Sequence, residues 1–471
     1  MSTSAAPPNR VGLGDAIILG LSSSGPAQTL AVSLAALVAA SGYGGVIPIL
    51  ICFVPMMGIA IAYQRLNRWD QSSGATYTWV ARVFHPYLGF LSGWMILLYY
   101  TLGTTTLTIP AGVYTIALLA PSFIDNHWAI FITGALWNSF ITVLAVAGLK
   151  IVARFEWLIV VFQYTVLLIV AAVALAALLH GTTAVRFSWA WFSWAGLGGM
   201  KGLMGGILIA CFMYSGWDAS IYVNEETIDK ANNPGKAALA SVVMLALVYS
   251  VGAFAFQGVL SASDMQLHAG DVLSAVSGRL LHKPWDSVMA LVVLTGTLAT
   301  LQASVVSAAR VGLAMSRDSV MPRFFQRLSA GSASPWAATL TMSAVNVILL
   351  ALALGTSSIA AALTNAASSL GLISIVFYGI TAAAALWQQR ATLMSSAGDF
   401  ILGGLLPLVG VAFSLWVLIE ALSTGAVTVT VMLYGLGSIL VGAAVAVFLH
   451  RFKGVRFFDS FKSMQDGAMT R

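Results

Sequence analysis

Asp218 is the residue whose position is hardest to explain by packing alone. It follows a glycine and an indole in a stretch that is otherwise apolar: Leu208 to Tyr214, then Ser215-Gly216-Trp217-Asp218, then Ala219 to Val223. A glycine beside a carboxylate within a hydrophobic segment is costly unless the backbone there lines a polar cavity. A second interruption comes early in the chain, where Ile17 to Leu21 runs into Ser22-Ser23-Ser24-Gly25-Pro26 before apolar residues resume at Leu30. Unwinding a helix frees N–H and C=O groups, and half-helix N-termini favour anions. Ser22, Ser23, Ser24 and Gly25, with Ser215, Gly216 and Trp217, would offer donors to a carboxylate, while freed carbonyls would hold an ammonium. For the serine run taken alone, a proline kink is the plain alternative.

Other side chains would complete such a site. Trp217, with Phe212 and Tyr214, would supply an aromatic wall that also stacks on a cation; core packing is the alternative for Phe212 and Tyr214. Trp94, Tyr99 and Thr104 would line the opposite wall. Thr364-Asn365 and Ser368-Ser369 make a polar stripe suited to gating or to helix packing. A buried carboxylate is costly to ionise, so Asp218 is a candidate for carrying a proton, with a structural ion pair as the bland alternative. Glu156 and Glu420 also have apolar neighbours, but they fall near predicted span ends and are read as interfacial.

The elements that must position these residues are membrane helices. Hydrophobic residues make up 59% of the 471, charged residues 8%, and mean hydropathy is +0.91, where a soluble domain carries roughly 25% charged residues. A span needs about 20 apolar residues, and twelve windows qualify: 12–40, 43–64, 86–119, 127–147, 151–179, 200–224, 236–261, 285–313, 335–354, 357–387, 400–421 and 427–449. If the N-terminus is cytoplasmic, 18 of the 22 Lys and Arg residues fall on the inner side, and only Arg186, Lys201, Arg279 and Lys283 fall outside. That bias places both termini in the cytoplasm. Met1 to Arg10 is polar and proline-bearing, so no removable signal peptide is expected. The basic pI, near 9.3, comes from scattered membrane-flanking residues and is a topology signal; no nucleic-acid partner is implied.

The remaining sequence features exclude rival chemistries. Cys52 and Cys211 lie in hydrophobic runs and read as small core residues. The outer connection from Thr182 to Gly199, with Trp189, Trp191 and Trp194, reads as an interfacial anchor. The outer loop from Ser261 to Pro284 reads as solvated; its His268, Asp271 and His282 are not spaced to force a metal site. No glycine loop ending in lysine is present to cradle ATP phosphates, and no ligand cluster or cofactor site suggests a membrane enzyme. A channel or solute-sensing receptor is the rival class.

Three stretches then carry a resemblance. Gly216-Trp217-Asp218 followed by Glu225-Glu226 and Asn233-Pro234, the run from Ala309 to Asp318 ending Met321-Pro322, and Ser73-Gly74-Ala75-Thr76-Tyr77 before Gly89-Phe90 and Gly93-Trp94 together resemble the amino acid, polyamine and organocation transporter superfamily. The third stretch resembles that family's approach to helix 3. The resemblance implies an all-α polytopic membrane protein of LeuT type: about 12 transmembrane helices in a 5+5 inverted repeat with broken helices 1 and 6, plus two peripheral helices. Divided so, the chain has a cytoplasmic tail (1–11), a first repeat (12–180), a second repeat (200–387), helices 11 and 12 (399–449) and a cytoplasmic tail (450–471). The two breaks, five spans apart, fit that inversion, and interrupted segments at corresponding places point to a transporter's substrate site.

The expected function is secondary transport of a neutral or broadly chosen L-amino acid across the cell membrane by alternating access, with no enzymatic activity. A polyamine or organocation carrier and an amino acid exchanger are the alternatives. In several proton-coupled members of the superfamily helix 5 carries a lysine where sodium sits in other relatives; the matching position here is Gln163, which holds no titratable proton. That departure leaves Asp218 as the expected proton carrier. A sodium site would instead use Ser304 and Ser307 with freed carbonyls of span one.

Overall fold

In the computed structural model each of the twelve windows carries helix. The structure describes residues 11–268, 270–353, 359–423 and 429–460, with backbone alone at 353, 359–364, 366, 367 and 430. Of the expected tails, 1–11 and 450–471, residues 1–10 and 461–471 lie outside the described residues. Span one is α1 (Leu13–Ser24) and α2 (Pro26–Ser41), followed by α3 (Val46–Trp69), α4 (Thr76–Val83), α5 (Pro86–Leu119), α6 (His127–Ala147) and α7 (Leu149–Leu179). Span six is α8 (Gly199–Met213) and α9 (Ala219–Tyr222). Then come α10 (Asn233–Phe256), α11 (Ala262–Leu267), α12 (Val272–Leu281), α13 (Trp285–Arg317), α14 (Trp336–Ala353) and α15 (Ile359–Gln389). Finally α16 (Ala397–Asp399) passes through a π-helical turn into α17 (Leu406–Ser423), and α18 (Val429–Met432) likewise into α19 (Ser438–Lys453). Among the described residues no β-strand forms; the one extended pairing is a single bridge between Val11 and Thr227. Hydrocarbon supplies no partners for backbone groups, so segments this apolar satisfy them within helices.

Ten helices among the described residues are long and apolar enough to cross a membrane. Spans six and nine are shorter, at Gly199–Met213 and Trp336–Leu352; span six is short because its break consumes the residues that would extend α8. The protein is therefore a multi-pass helical membrane protein. Its two broken spans are central: α1 packs on α7, α10 and α13, and α8 packs on α2, α3 and α15.

Two sequence expectations need correction. Span one does not unwind over the serine run: Ser22, Ser23 and Ser24 complete α1, and the break is confined to Gly25, left-handed at φ +49°. Its N–H closes the helix onto the Leu21 and Ser22 carbonyls, a conformation glycine adopts without penalty. The Ser73 to Tyr77 stretch, ahead of span three, turns at Ala75 and opens the separate short helix α4. The loop from Ser261 to Pro284 is only partly solvated. It folds as α11 and α12, whose Val272, Leu273 and Val276 are buried, because their spacing makes one apolar face. His268 is exposed, and Asp271 caps α12 by accepting from the Ser274 amide at 3.3 Å.

Past α19 the chain folds back. Phe457 stacks on Tyr77 with ring centroids 5.4 Å apart, Phe458 packs between Phe90, Tyr87 and His450, and His450 pairs with Asp459. Both described chain ends thus lie with Arg82, Arg310 and Arg317 at one end of the bundle, the basic end.

Candidate functional site

The two breaks touch. Gly216, at φ +103°, lies so close to span one that a Cβ built there would stand 2.8 Å from the Ser23 carbonyl oxygen and 3.1 Å from the Ser24 nitrogen. Gly20 meets the Trp217 carbonyl in the same way, and Gly25 is pressed against the Thr300 hydroxyl of α13. Glycine is required at Gly25 and Gly216 twice over, by left-handed backbone and by this close approach. The N-cap of α2 is Gly25, which has no side chain to cap it, and its first residue is a proline, so the Ala27 and Gln28 amides are the uncapped donors at this end, the Thr29 amide bonding the Gly25 carbonyl at 2.8 Å. The Ser22 and Ser23 hydroxyls are buried with no partner. Polar groups left unmatched where two breaks meet are the features expected of a place that binds something polar.

Asp218 follows the glycine break and is fully buried. It holds the N-cap position of α9 but does not cap that helix. Its carboxylate instead accepts from three tyrosine hydroxyls: Tyr378 at 2.8 Å and Tyr100 at 3.3 Å on Oδ1, and Tyr222 at 2.7 Å on Oδ2. Among the described residues no lysine or arginine pairs with it, so the ion-pair reading gives way to a hydroxyl cradle. The Gly216 amide donates to the Tyr378 hydroxyl at 3.2 Å, which links the break to the carboxylate. Trp217 stacks on Tyr378 at 5.2 Å and meets Tyr63 edge-on at 5.1 Å, its indole N–H buried and unpartnered. Tyr99 donates to the Ser215 hydroxyl at 2.8 Å. Aromatic rings do gather around Trp217 and Asp218, and they include Tyr63, Tyr100, Tyr222 and Tyr378, which the sequence reading did not single out.

The other expected residues divide. Trp94 is turned away from the breaks: its indole donates to the Ser438 carbonyl at 3.0 Å and packs on Gly442 of α19. Tyr214 is buried edge-on against Tyr249, its hydroxyl unpartnered; Phe212 is half-buried against Gly371 of α15. Thr104 bonds its own helix. In the polar stripe Ser369 bonds the Asn365 carbonyl, and the side chain of Thr364 lies outside the described residues. Gln163 is buried against Gly296 of α13. Ser304 and Ser307 are buried; Ser307 lies near Tyr100 with its hydroxyl unpartnered. Glu156, read from the sequence as interfacial, is instead fully buried on the face of α7 toward α1, with neither carboxylate oxygen hydrogen-bonded. The two cysteines are both buried and adjoin one another.

The three sequence stretches singled out above meet at the basic end. Glu225 accepts from the Ser73 amide at 2.9 Å and from both terminal nitrogens of Arg317 at 2.9–3.1 Å. Glu226 pairs with Arg310 at 2.6 Å, and Tyr77 donates to Asp318 at 2.7 Å. Burial pushes the Glu225 carboxyl up, but the Arg317 fork and the Ser73 groups outweigh it and hold it below its ordinary value. Asp318 goes the other way: burial raises it despite Tyr77 and two nearby arginines. Together these contacts tie α4, the turn after α9 and the end of α13 into one clamp. Away from it, an open cleft of about 390 Å³ between Val32, Ile109, Tyr114 and His127 touches neither break.

The family model described as amino acid permease matches residues 15–456. The chain is similar to the low-affinity putrescine importer of Escherichia coli K12, at 25% identity over 277 residues, covering 58% of this chain and 59% of the importer. It is also similar to the human large neutral amino acids transporter small subunit 2, at 20% identity over 336 residues, covering 70% of this chain and 60% of that one. An uncharacterized transporter of Mycobacterium tuberculosis is 26% identical over 422 residues, covering 86% and 87%. The chain therefore spans about three fifths of the length of the first two relatives.

Proposed function

This chain belongs to the amino acid permease family, a family of membrane transporters and not of enzymes, and from that premise we propose that it carries an L-amino acid inward across the cell membrane by alternating access. The observation that carries the reading is the contact between the two breaks, Gly216 against the Ser23 carbonyl. Residues Ser22 to Gly25 and Ser215 to Asp218 are the proposed substrate site, with Tyr99 and Tyr378 beside it. In this reading 12–180 and 200–387 are two inverted units, the basic end faces the cytoplasm, and the Glu225–Arg317 and Glu226–Arg310 pairs hold that end shut until α1, α8 and α9 rock.

A polyamine or organocation carrier is the second reading. It is favoured by an acid, Asp218, next in sequence to the aromatic Trp217 and by the name of the putrescine-importing relative. Against it, Asp218 already accepts from three hydroxyls. Coupling is proposed to be to protons. Sodium at Ser304 and Ser307 is the alternative, and Gln163, packed on Gly296 of the same helix α13, has no proton to titrate.

The test is radiolabelled uptake by purified protein in proteoliposomes. Free neutral amino acids are expected to compete, their methyl esters to compete far less, and decarboxylated amines to fail. Equal competition by putrescine-like amines would move the assignment to the organocation reading. Imposing sodium and pH gradients separately checks the coupling: uptake that needs external sodium and ignores the pH gradient would refute the proton reading.

A further inference from the structure

Among the described residues two carboxyl groups, Asp218 and Glu156, are fully buried, with opposite surroundings. Asp218 receives three O–H donors, a set that satisfies a charged carboxylate. Glu156, on α7, has no such set: neither buried oxygen receives a donor at full hydrogen-bond geometry, and its polar neighbour is the Ser22 hydroxyl at the last turn of α1. The contact between α1 and α7 runs on toward the basic end, where Trp157 covers Gly14 and donates to Asp15 at 3.0 Å.

No charge stands near enough to compensate. Of the charged groups on elements packed against α7, Asp15 of α1 is bonded to Trp157, Arg310 of α13 to Glu226 and the Val306 carbonyl, and Arg317 of α13 to Glu225, while Asp286, at the other end of α13, accepts from the Ser287 amide. Lys236 of α10, His127 of α6, Arg279 of α12, and Lys150 and Arg154 of α7 itself are exposed. Nearby tyrosines, Tyr164 of α7 and Tyr249 of α10, do not bond the carboxyl; Tyr249 donates to the Ser24 carbonyl. An ionised carboxylate without donors or a counter-ion costs several kcal/mol to bury, whereas a neutral acid costs far less.

We propose that Glu156 is the proton-carrying group of the transport cycle, protonated while α1 is packed on α7 and deprotonated when α1 moves away. The proposal rests on the alternating-access reading given above. In the packed state Glu156 holds its proton on a carboxyl oxygen. When the basic-end half of α1 leaves α7, water reaches the carboxyl, accepts the proton and solvates the carboxylate. Repacking then requires one proton back, so each cycle carries a proton with the movement of α1.

Two measurements decide it. In proteoliposomes Glu156→Gln, a permanent mimic of the neutral acid, is expected to lose stimulation by an inward pH gradient while keeping solute counterflow, and Glu156→Asp to recover stimulation. Full gradient stimulation in Glu156→Gln, or its selective loss in Asp218→Asn, would overturn the proposal and return the proton to Asp218. The second measurement needs no substrate and so stands if the amino acid reading fails. Infrared spectra of the purified protein across neutral pH are expected to show a protonated carboxyl C=O band that disappears in Glu156→Gln and persists in Asp218→Asn. A band insensitive to Glu156→Gln, or no band, counts against it.

Discussion

At the scale of single residues, Gly216 makes the sharpest prediction. A methyl group there would collide with backbone of the other break and would strain a φ of +103°, a conformation that costs a non-glycine residue about 1–3 kcal/mol. Gly216→Ala is expected to lower the melting temperature and remove uptake, and thermal shift with radiolabelled uptake reads both; an alanine variant with normal transport would separate the breaks from function. Tyr378→Phe deletes both the hydroxyl that donates to Asp218 and the acceptor of the Gly216 amide. Its expected cost is about 1–3 kcal/mol, larger than for Tyr99→Phe, which removes a single bond to Ser215. Denaturation of the two variants side by side checks the order. The carboxylate and the glycine were legible in the sequence because both are costly in an apolar stretch. The tyrosines were not, since Tyr63, Tyr100 and Tyr378 come from three other helices and each alone looks like core. Tyr222, four residues after Asp218 and so on the same helical face, was the one available clue.

At the scale of elements, the clamp predicts a pH dependence. The Glu225 carboxyl is held below its ordinary value, so its contribution to stability is complete above the unfolded pKa, about 4.3, and fades as pH falls through the lower folded value. The pair is partly exposed, with Arg317 at 47% and Glu225 at 32%, so the contribution is about 0.5–1 kcal/mol. Glu225→Gln is expected to melt below the wild type at neutral pH and to match it in strong acid. Taking the difference between the two proteins cancels the opposing trend from Asp318. A constant gap across that range would mean that packing, not charge, holds the clamp. Span positions were readable from apolar length alone. The short helices α4, α11 and α12 were not, because six to ten residues fall below any spanning pattern and gain their order from the neighbours they pack on. The extent of the first break was misjudged for a related reason: serines tolerate a helix end, and only glycine had to leave it.

At the scale of the whole molecule, the charge bias predicts that the basic end faces the cytoplasm. The native cysteines are buried, so single cysteines placed at Lys453 and His180 report cleanly. In intact cells an impermeant thiol reagent is expected to label His180→Cys and not Lys453→Cys; the reverse pattern would invert the topology. Family and architecture were legible because three motifs kept their order along the chain. That the motifs share one clamp was not, because the contacts bring together residues as distant as Ser73, Glu225 and Arg317.

The fold-back after α19 bears on how the protein is made. Phe457 covers the ring of Tyr77, and Tyr77 in turn bonds Asp318, so a surface that α4 begins is finished only by residues beyond α19. Synthesis runs from the N-terminus, and the Tyr77 face of α4 therefore goes without this cover until the chain has been made past α19.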